Sequence, residues 1–371
     1  MGVCVDDQYR LSLIEAIERK RGSRVISYIC GTRPGLHDMM SDSDVRVIEH
    51  HLAALSAKKP PAKLDLFLYT PGGLAVVPTA IVALIREHLG PKGEFSVLIP
   101  AMAFSAGTVL SLGADEIVMN PAGHIGPIDT QMDGVSVDTL RAYFDLARSL
   151  GLRGRRDMRD IFLKMTDEVS PLWYGIMQKV STEGERKAIR VLNTRKRPLS
   201  KRQNKRIVKF LTHEVGIHGQ AIHRSEAQAN GLDFVSRSEQ YGIRDEMAEL
   251  FTAYENMLEL DVPLARKSWP QRYMGDEHDI AIDGTFSMEK PLSLVESRER
   301  LDVAKLAYGL RFWRDAPPPP GRERARTGDE VHASPIASAQ ESLRSVASGQ
   351  RSDGMKSGPP RMEWETVERG K

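Results

Sequence analysis

Between residues 24 and 119 the sequence alternates short, almost uninterrupted apolar runs with stretches of helical periodicity. The apolar runs predict four strands, over 24–30, 64–69, 95–99 and 116–119. Helices are predicted between them, over 42–55, over 76–88 and from Ser105 onward. Strands that are apolar on both faces and alternate with helices are typical of a parallel sheet covered on both sides. The sequence therefore predicts an α/β fold with a mostly parallel sheet.

The overall charge and the cysteine content exclude several classes of protein. The 371 residues carry a formal net charge of only +2, so no strong field favours nucleic acid or an anionic membrane. A basic run over 195–209 has no interleaved aromatic residues, and it predicts a solvated surface or a contact with an acidic partner rather than nucleic-acid binding. The two cysteines, Cys4 and Cys30, predict neither a disulfide framework nor a metal site, which fits a reducing cytoplasm.

Two features bear on membrane targeting. Asp6, Asp7 and Arg10 occupy the place where a signal peptide would have its apolar region. Residues 96–114 are apolar over a length that could cross a bilayer, but they are interrupted by Pro100 and by the serine and glycine that follow. This stretch is better explained as a strand, a turn and a buried helix. We therefore predict a cytoplasmic protein with no membrane span.

Changes in composition divide the chain into three regions. Residues 1–235 are predicted to form the core, with a helical and basic insertion at about 136–212. A mainly helical extension is predicted over 236–315, including a helix over 297–313. Residues 316–371 are rich in Pro, Gly, Ser, Arg and Glu and have few apolar side chains, so they are predicted to be a disordered tail.

Two local motifs could carry chemistry. Residues 69–73, Tyr-Thr-Pro-Gly-Gly, directly follow a predicted strand, and paired glycines let the backbone turn sharply and present N–H groups to a ligand. Residues 103–108, Ala-Phe-Ser-Ala-Gly-Thr, join a strand to a helix, where the helix dipole favours negative charge close to Ser105. Taken singly, the first motif also fits a plain turn and the second a simple helix cap.

The order of these motifs, followed by Ala-Asp-Glu-Ile-Val-Met and Gly-Pro-Ile-Asp over 114–119 and 126–129, resembles the serine dehydrogenase proteinase family. This family is a branch of the Clp protease/crotonase superfamily and is related to signal peptide peptidase A. The resemblance is specific over residues 24–132 and looser over 213–235. It implies a Clp protease/crotonase-like fold of stacked ββα units, a peptide or protein substrate, a homo-oligomer and no cofactor or metal.

The resemblance also implies roles for individual residues. Ser105 matches the nucleophile of the family. The backbone N–H groups of Gly73 and Ala106 match the oxyanion hole, and Gly72 belongs to the same loop. Such donors stabilise the tetrahedral oxyanion, and the loss of one typically costs about 100- to 1000-fold in rate.

The general base is less clear from the sequence, because serine needs a partner that takes its proton. The resemblance to the Ser-Lys dyad of signal peptide peptidase A makes Lys164 the first candidate and Lys179 the second. A lysine that is desolvated close to a serine can lose its charge and act as a base. His124 and His218 remain as alternative bases.

Three functions are consistent with these features. The first is an ATP-independent serine peptidase in which Ser105 is acylated by the peptide and then released by water. The second is a non-catalytic oligomeric scaffold or peptide-binding module on the same fold. The third is a crotonase-type acyl-CoA enzyme. The serine directly before Ala106 and Gly107 favours the peptidase, and no paired acidic residues are placed for enolate chemistry.

Overall fold

The structure is a computed structural model that describes residues 7–56, 60–128, 131–132, 135–168, 170–215, 219–262, 285–312, 355–357 and 361–369. Its helices are α1 (Asp7–Arg21), α2 (Asp42–Ser56), α3 (Val77–Leu89), α4 (Ala106–Leu112), α5 (Val137–Ser149), α6 (Arg155–Glu168), α7 (Pro171–Leu192), α8 (Lys201–Lys209), α9 (Arg224–Ala229) and α10 (Arg244–Leu258). A π-helical turn (Phe210–Glu214) follows α8, and a 3₁₀ turn (Ser238–Tyr241) precedes α10.

The strands are β1 (Arg24–Cys30), β2 (Thr32–Arg33), β3 (Leu36–His37), β4 (Lys63–Tyr69), β5 (Glu94–Ile99), β6 (Met102–Ala103), β7 (Glu116–Met119), β8 (His124–Ile125), β9 (Gln131–Met132), β10 (Val135–Ser136), β11 (Ile222–His223), β12 (Val235–Arg237), β13 (Thr285–Glu296), β14 (Arg300–Phe312), β15 (Met355–Ser357) and β16 (Arg361–Glu368). Within the described residues the largest sheet has nine strands. Its parallel part runs in the order β12-β7-β5-β4-β1, and antiparallel strands β13 to β16 extend it beyond β1. The predicted mostly parallel α/β sheet is confirmed.

The register of the parallel strands explains why their sequences are apolar throughout. Ile26, Leu66, Val97 and Ile117 lie side by side across four strands, and none of them is exposed. They belong to the core that includes apolar residues of α2, α3, α4 and α7. Alternate strand residues point to the opposite face, where they pack with residues of α1 and α10. Since helices cover both faces, both sets of side chains are buried.

A second, smaller sheet determines the path of the chain into α4. It consists of β6, β8 and β11, with β6 parallel to β8 and β11 antiparallel to β8. A single bridge between Thr70 and Ala103 joins this sheet to the end of β4. The chain therefore leaves β6 directly beside the segment that follows β4, and it enters α4 at that point.

The C-terminal part of the structure differs from the sequence prediction. Residues 300–312, where a helix was predicted, form β14, which pairs with β13. Residues 361–368, predicted to be disordered, form β16 on the other side of β14. Alanine, leucine, lysine and arginine in β14 favour a helix by intrinsic propensity, but propensity is a weak preference that sheet pairing overrides. The rest of the predicted disordered tail lies outside the described residues, apart from β15 and Arg369.

A buried polar chain fastens α2 to the antiparallel part of the sheet. The two ring nitrogens of His51 lie 3.0 Å from Ser297 Oγ and 3.0 Å from Asp302 Oδ2. All three side chains are buried. Burial is the largest influence on the His51 imidazole and lowers its pKa, even though the Asp302 carboxylate acts in the opposite direction.

We expect this histidine to make the fold sensitive to acid. Below the ordinary histidine pKa of about 6.5 the unfolded chain binds a proton that buried His51 does not, so stability decreases as pH falls. The slope from one such group is at most about 1.4 kcal/mol per pH unit. Urea unfolding at pH 7.5, 6.5 and 5.5 measures it, and His51→Gln should flatten the dependence. An unchanged slope in the variant would assign the effect to other groups.

Candidate active site

Ser105 lies at the start of α4 in a backbone conformation that few residues adopt. It follows β6 and Phe104, its φ is 49° and its ψ is −109°, and its side chain is half-buried. A positive φ in a residue with a Cβ costs about 1–3 kcal/mol and persists only where surrounding structure enforces it. Within the described part of the chain, no protein group forms a hydrogen bond with the Ser105 hydroxyl. Ser105 therefore has a strained backbone and a hydroxyl that makes no hydrogen bond to the described residues.

The paired glycines at the end of β4 face this serine. Gly72 has a φ of 121° and Gly73 a φ of 149°. A Cβ on Gly72 would lie 2.9 Å from the Ser105 Cβ, and a Cβ on Gly73 would lie 2.3 Å from the Met40 carbonyl oxygen. Both positions require glycine, because a side chain would clash and would also be strained at these angles. The absence of side chains brings the turn into direct contact with Ser105.

Backbone pairing determines where the Gly73 amide points. Met40 N–H donates to the Gly72 carbonyl at 2.8 Å, and Leu74 N–H donates to the Met40 carbonyl at 2.9 Å. In a parallel bridge of this kind, the N–H of the central residue points away from the partner strand. Ala106 N–H is at the first position of α4, where helix amides lack acceptors. Among the residues that the structure describes, neither N–H donates to a protein acceptor, so both are available to a ligand.

Ser105, Gly73 and Ala106 line one cavity of about 540 Å³. Part of its wall is apolar and comes from Met39, Met40, Leu74, Val109 and Ile128. Asp38 and Lys187 add charged groups to the same wall. The cavity is large enough for several atoms of a ligand beyond the reacting group, and a pocket of this composition suits a ligand with both apolar and polar parts.

The segment opposite the glycine pair is held by a buried carboxylate. Asp44 accepts hydrogen bonds from Tyr28 Oη at 2.6 Å and from the backbone N–H of Ser41 at 2.6 Å. Burial raises the pKa of Asp44, and these hydrogen bonds oppose the shift. Burial also raises the pKa of Asp38, which lies in the cavity wall. Asp44 therefore fixes the position of Ser41 and, through this neighbour, the bridge between Met40 and Gly73.

The structure does not bring the two predicted lysines to the cavity. Lys164 lies on α6 with 81% of its side chain exposed, and its amine is 3.6 Å from Asp167. Lys179 is exposed on α7. Neither lysine lines the cavity that contains Ser105. Both lie on helix surfaces that face away from the core, which a count of residues from Ser105 does not reveal.

Lys187, which was not predicted from the sequence, lines the cavity with Ser105. It is half-buried, and in the described part of the chain no carboxylate lies within ion-pair distance of its amine. It is next to Ala188 and one turn from Val191, both buried in the core. The sequence feature that could have identified Lys187 is its place at the border of the apolar stripe of α7, rather than on the solvent-exposed face of the helix.

Of the histidine alternatives, His124 lies within the described residues and does not line the cavity either. His124 Nδ1 lies 2.9 Å from the Ala122 carbonyl oxygen, and its ring packs against Phe104 and His223. Burial, and to a smaller extent the charge of His223, lowers the pKa of His124. It is not part of the cavity wall. His218 lies outside the described residues.

Neither a metal-binding cluster nor a membrane-crossing helix is present among the described residues. Among the described residues, no group of three or more histidine, cysteine, aspartate or glutamate side chains is arranged to hold a metal ion. No helix in the same part of the chain is long and apolar enough to cross a membrane.

Together, the doubly covered parallel sheet, the small second sheet and the strained serine beside a glycine turn define a Clp protease-type α/β protein. The family model for ClpP-like SDH-type serine proteinases matches residues 5–257. Because this match covers more than half of the chain, the protein belongs to the ClpP-like SDH-type serine proteinase family, a family of serine peptidases. The resemblance noted from the sequence is thereby confirmed.

Individual relatives are more distant. The uncharacterized protein MJ1495 of Methanocaldococcus jannaschii is 34% identical over 140 residues, 36% of this chain and 47% of that protein. The uncharacterized protein MJ0137 of the same organism is 27% identical over 228 residues, 60% of this chain and 72% of that protein. The chain thus spans about half the length of the first relative and nearly three quarters of the second.

Among the solved structures that match part of the chain is a protease bound to a peptide. It is a lysine-to-alanine mutant of the 1510-N membrane-bound stomatin-specific protease in complex with a substrate peptide. The two chains are 22% identical, with a TM-score of 0.23, and the match covers 30% of this chain and 57% of the other. A similarity this low does not allow the two sites to be compared.

Proposed function

We propose that this chain is an ATP-independent serine peptidase with Ser105 as its nucleophile. The observation that carries the proposal is the convergence at one cavity of a strained serine, a lysine and two backbone N–H groups that have no acceptor among the described residues. A binding module would not require the serine to adopt a positive φ. Backbone strain of this kind is concentrated at catalytic sites, because it directs a reacting side chain toward its substrate.

The proposed reaction has two stages. Ser105 Oγ attacks the peptide carbonyl carbon while its proton passes to Lys187 Nζ as the general base, and Gly73 and Ala106 N–H donate to the oxyanion. The tetrahedral intermediate then breaks the C–N bond, and the lysine returns the proton to the leaving amine. Water then attacks the acyl-serine and loses a proton to Lys187. The second tetrahedral intermediate breaks the C–O bond to Ser105, and the lysine returns the proton to Ser105 Oγ.

The substrate side of the proposal follows from the same backbone. Gly73 uses neither its N–H nor its C=O to bridge Met40, so an extended peptide can pair with this edge of the turn. We propose a peptide or protein substrate held in this way. We also propose that the chain acts in the cytoplasm, which the low cysteine content favours. Two further proposals rest on the family alone: that it needs no cofactor, and that it assembles as a homo-oligomer. Light scattering of the purified protein tests the assembly.

The proposal is tested by a fluorophosphonate probe and by hydrolysis of fluorescent casein without ATP. A serine peptidase of this kind reacts covalently with the probe at Ser105, and mass spectrometry locates the adduct. A folded, assembled protein that does not react would favour the scaffold or peptide-binding module. Tight binding of coenzyme A without probe labelling would favour the acyl-CoA enzyme.

We expect Lys187→Ala to reduce the rate of fluorophosphonate labelling by about 100- to 10,000-fold, the usual contribution of a general base. Lys187→Arg should be equally slow, because a guanidinium keeps its charge but does not accept a proton at neutral pH. Lys164→Ala and Lys179→Ala are the matched controls, and each should stay within twofold of the wild type. The measurement is the second-order labelling rate between pH 6 and 10. Full activity in Lys187→Ala, or loss in Lys164→Ala, would refute the assignment.

A further inference from the structure

Thr70, at the end of β4, connects the two halves of the candidate oxyanion hole through its backbone. Thr70 N–H donates to the Met102 carbonyl at 3.0 Å, and Phe104 N–H donates to the Thr70 carbonyl at 3.0 Å. The residue is completely buried. These two bonds hold the segment that leads into Ser105 against the segment that leads into the glycine turn. The relative position of the two segments therefore depends on this bridge.

The Thr70 side chain contacts the same two segments. Gly72 N–H donates to Thr70 Oγ1 at 3.1 Å, and the same oxygen lies 3.2 Å from the Gly72 carbonyl oxygen. On the other side, a Cβ on Gly107 would lie 2.4 Å from Thr70 Cγ2, so the methyl group packs against the first turn of α4. The hydroxyl thus holds the glycine turn, and the methyl group holds the start of the helix.

The direction of the Gly73 amide depends on these contacts. Gly72 and Gly73 both have positive φ angles. Because glycine has no Cβ, these two residues could adopt many other backbone conformations. The bond from Gly72 N–H to Thr70 Oγ1 limits that choice one residue before Gly73. The bridge to Met40 limits it from the opposite side. Catalytic donors need such support, because a displacement of about 1 Å can cost about 100-fold in rate.

We propose that Thr70 is a positioning residue whose hydroxyl sets the direction of the oxyanion-hole amide of Gly73. This inference rests on the proposed peptidase function. Thr70 is not among the residues that line the cavity with Ser105, and it acts through Gly72. A buried hydroxyl with only a structural role would affect stability, whereas this role also affects the step in which the oxyanion forms.

The test uses two replacements at position 70. Thr70→Val keeps the shape and the methyl contact but removes the acceptor for Gly72 N–H, so we expect the maximal rate of fluorophosphonate inactivation to fall about 10- to 100-fold. The probe concentration for half-maximal rate should stay within about twofold, because the cavity wall is unchanged. Thr70→Ser retains the oxygen and should restore the rate to within about threefold of the wild type.

A matched control separates positioning from stability. Thr212 is another buried threonine, and its hydroxyl donates to the Val208 carbonyl at 2.8 Å. Thr212→Val should lower the melting temperature while leaving the inactivation rate unchanged. Folding of each variant is checked by circular dichroism and thermal unfolding.

The outcomes distinguish this inference from the function on which it rests. A folded Thr70→Val with the wild-type rate, or a Thr70→Ser as slow as Thr70→Val, overturns the role of the hydroxyl while the peptidase stands. A wild-type protein that the probe does not label overturns both.

Discussion

Ser105→Ala should eliminate fluorophosphonate labelling and reduce casein hydrolysis at least about 1000-fold, while the chain remains folded. In the proposed mechanism this variant lacks the nucleophilic oxygen, and the proposed oxyanion donors alone leave only a small residual rate. The two N–H groups come from the backbone, so the substitution leaves them in place. Labelling and hydrolysis are measured against the wild type, with circular dichroism to verify the fold. Persistent labelling in the variant would place the nucleophile elsewhere.

Ser105→Gly provides a second measurement on the same residue. It should be as inactive as the alanine variant but more stable than it, by about 1 kcal/mol. Alanine inherits the φ of 49°, whereas glycine adopts positive φ without strain, although glycine also loses more entropy on folding. Urea unfolding compares the two variants. If glycine is the less stable of the pair, the strain assigned to this turn is not significant.

Much of the fold could be predicted because the strands are buried on both faces. An uninterrupted apolar run such as 95–99 predicts a strand that is buried on both faces, as in a parallel sheet. The structure has a strand from Glu94 to Ile99. The turn at residues 71–73 was likewise visible, since consecutive glycines after a strand have few other uses. Its contact with Ser105 was expected only through the family resemblance, because two segments far apart in the chain give no local indication of distance.

Other features depend on tertiary contacts that no local pattern encodes. Lys164 was predicted from the resemblance to signal peptide peptidase A, whereas the lysine in the cavity is determined by how α7 packs against α4. Strand β14 has the composition of a helix and becomes a strand because β13 and β16 pair with it. The bridge of Met40 to Gly73 comes from a segment that lies outside every predicted strand and helix. Apart from β13, which is next to β14 in the chain, the deciding partners are remote in sequence.

Gly72→Ala should reduce the maximal rate of fluorophosphonate inactivation at least about 100-fold. The new Cβ would lie 2.9 Å from the Ser105 Cβ and 3.3 Å from the Phe104 carbonyl oxygen, so either the turn or the serine has to move. A displaced Gly72 also moves the Gly73 amide away from the proposed oxyanion position, and the loss of one such donor costs about 100- to 1000-fold in rate. Stability should fall as well, by about 1–3 kcal/mol, because alanine is strained at a φ of 121°.

Gly90→Ala is the control that isolates the contact with Ser105. Gly90 ends α3 with a φ of 67°, and a Cβ there would meet nothing within 4 Å. This variant should therefore lose about 1 kcal/mol of stability through backbone strain alone and keep the wild-type inactivation rate. Urea unfolding and probe kinetics on both variants separate the two effects. If Gly72→Ala retains the wild-type rate, the glycine turn accommodates the added Cβ beside Ser105. Close contact between the turn and the serine is then not required for catalysis.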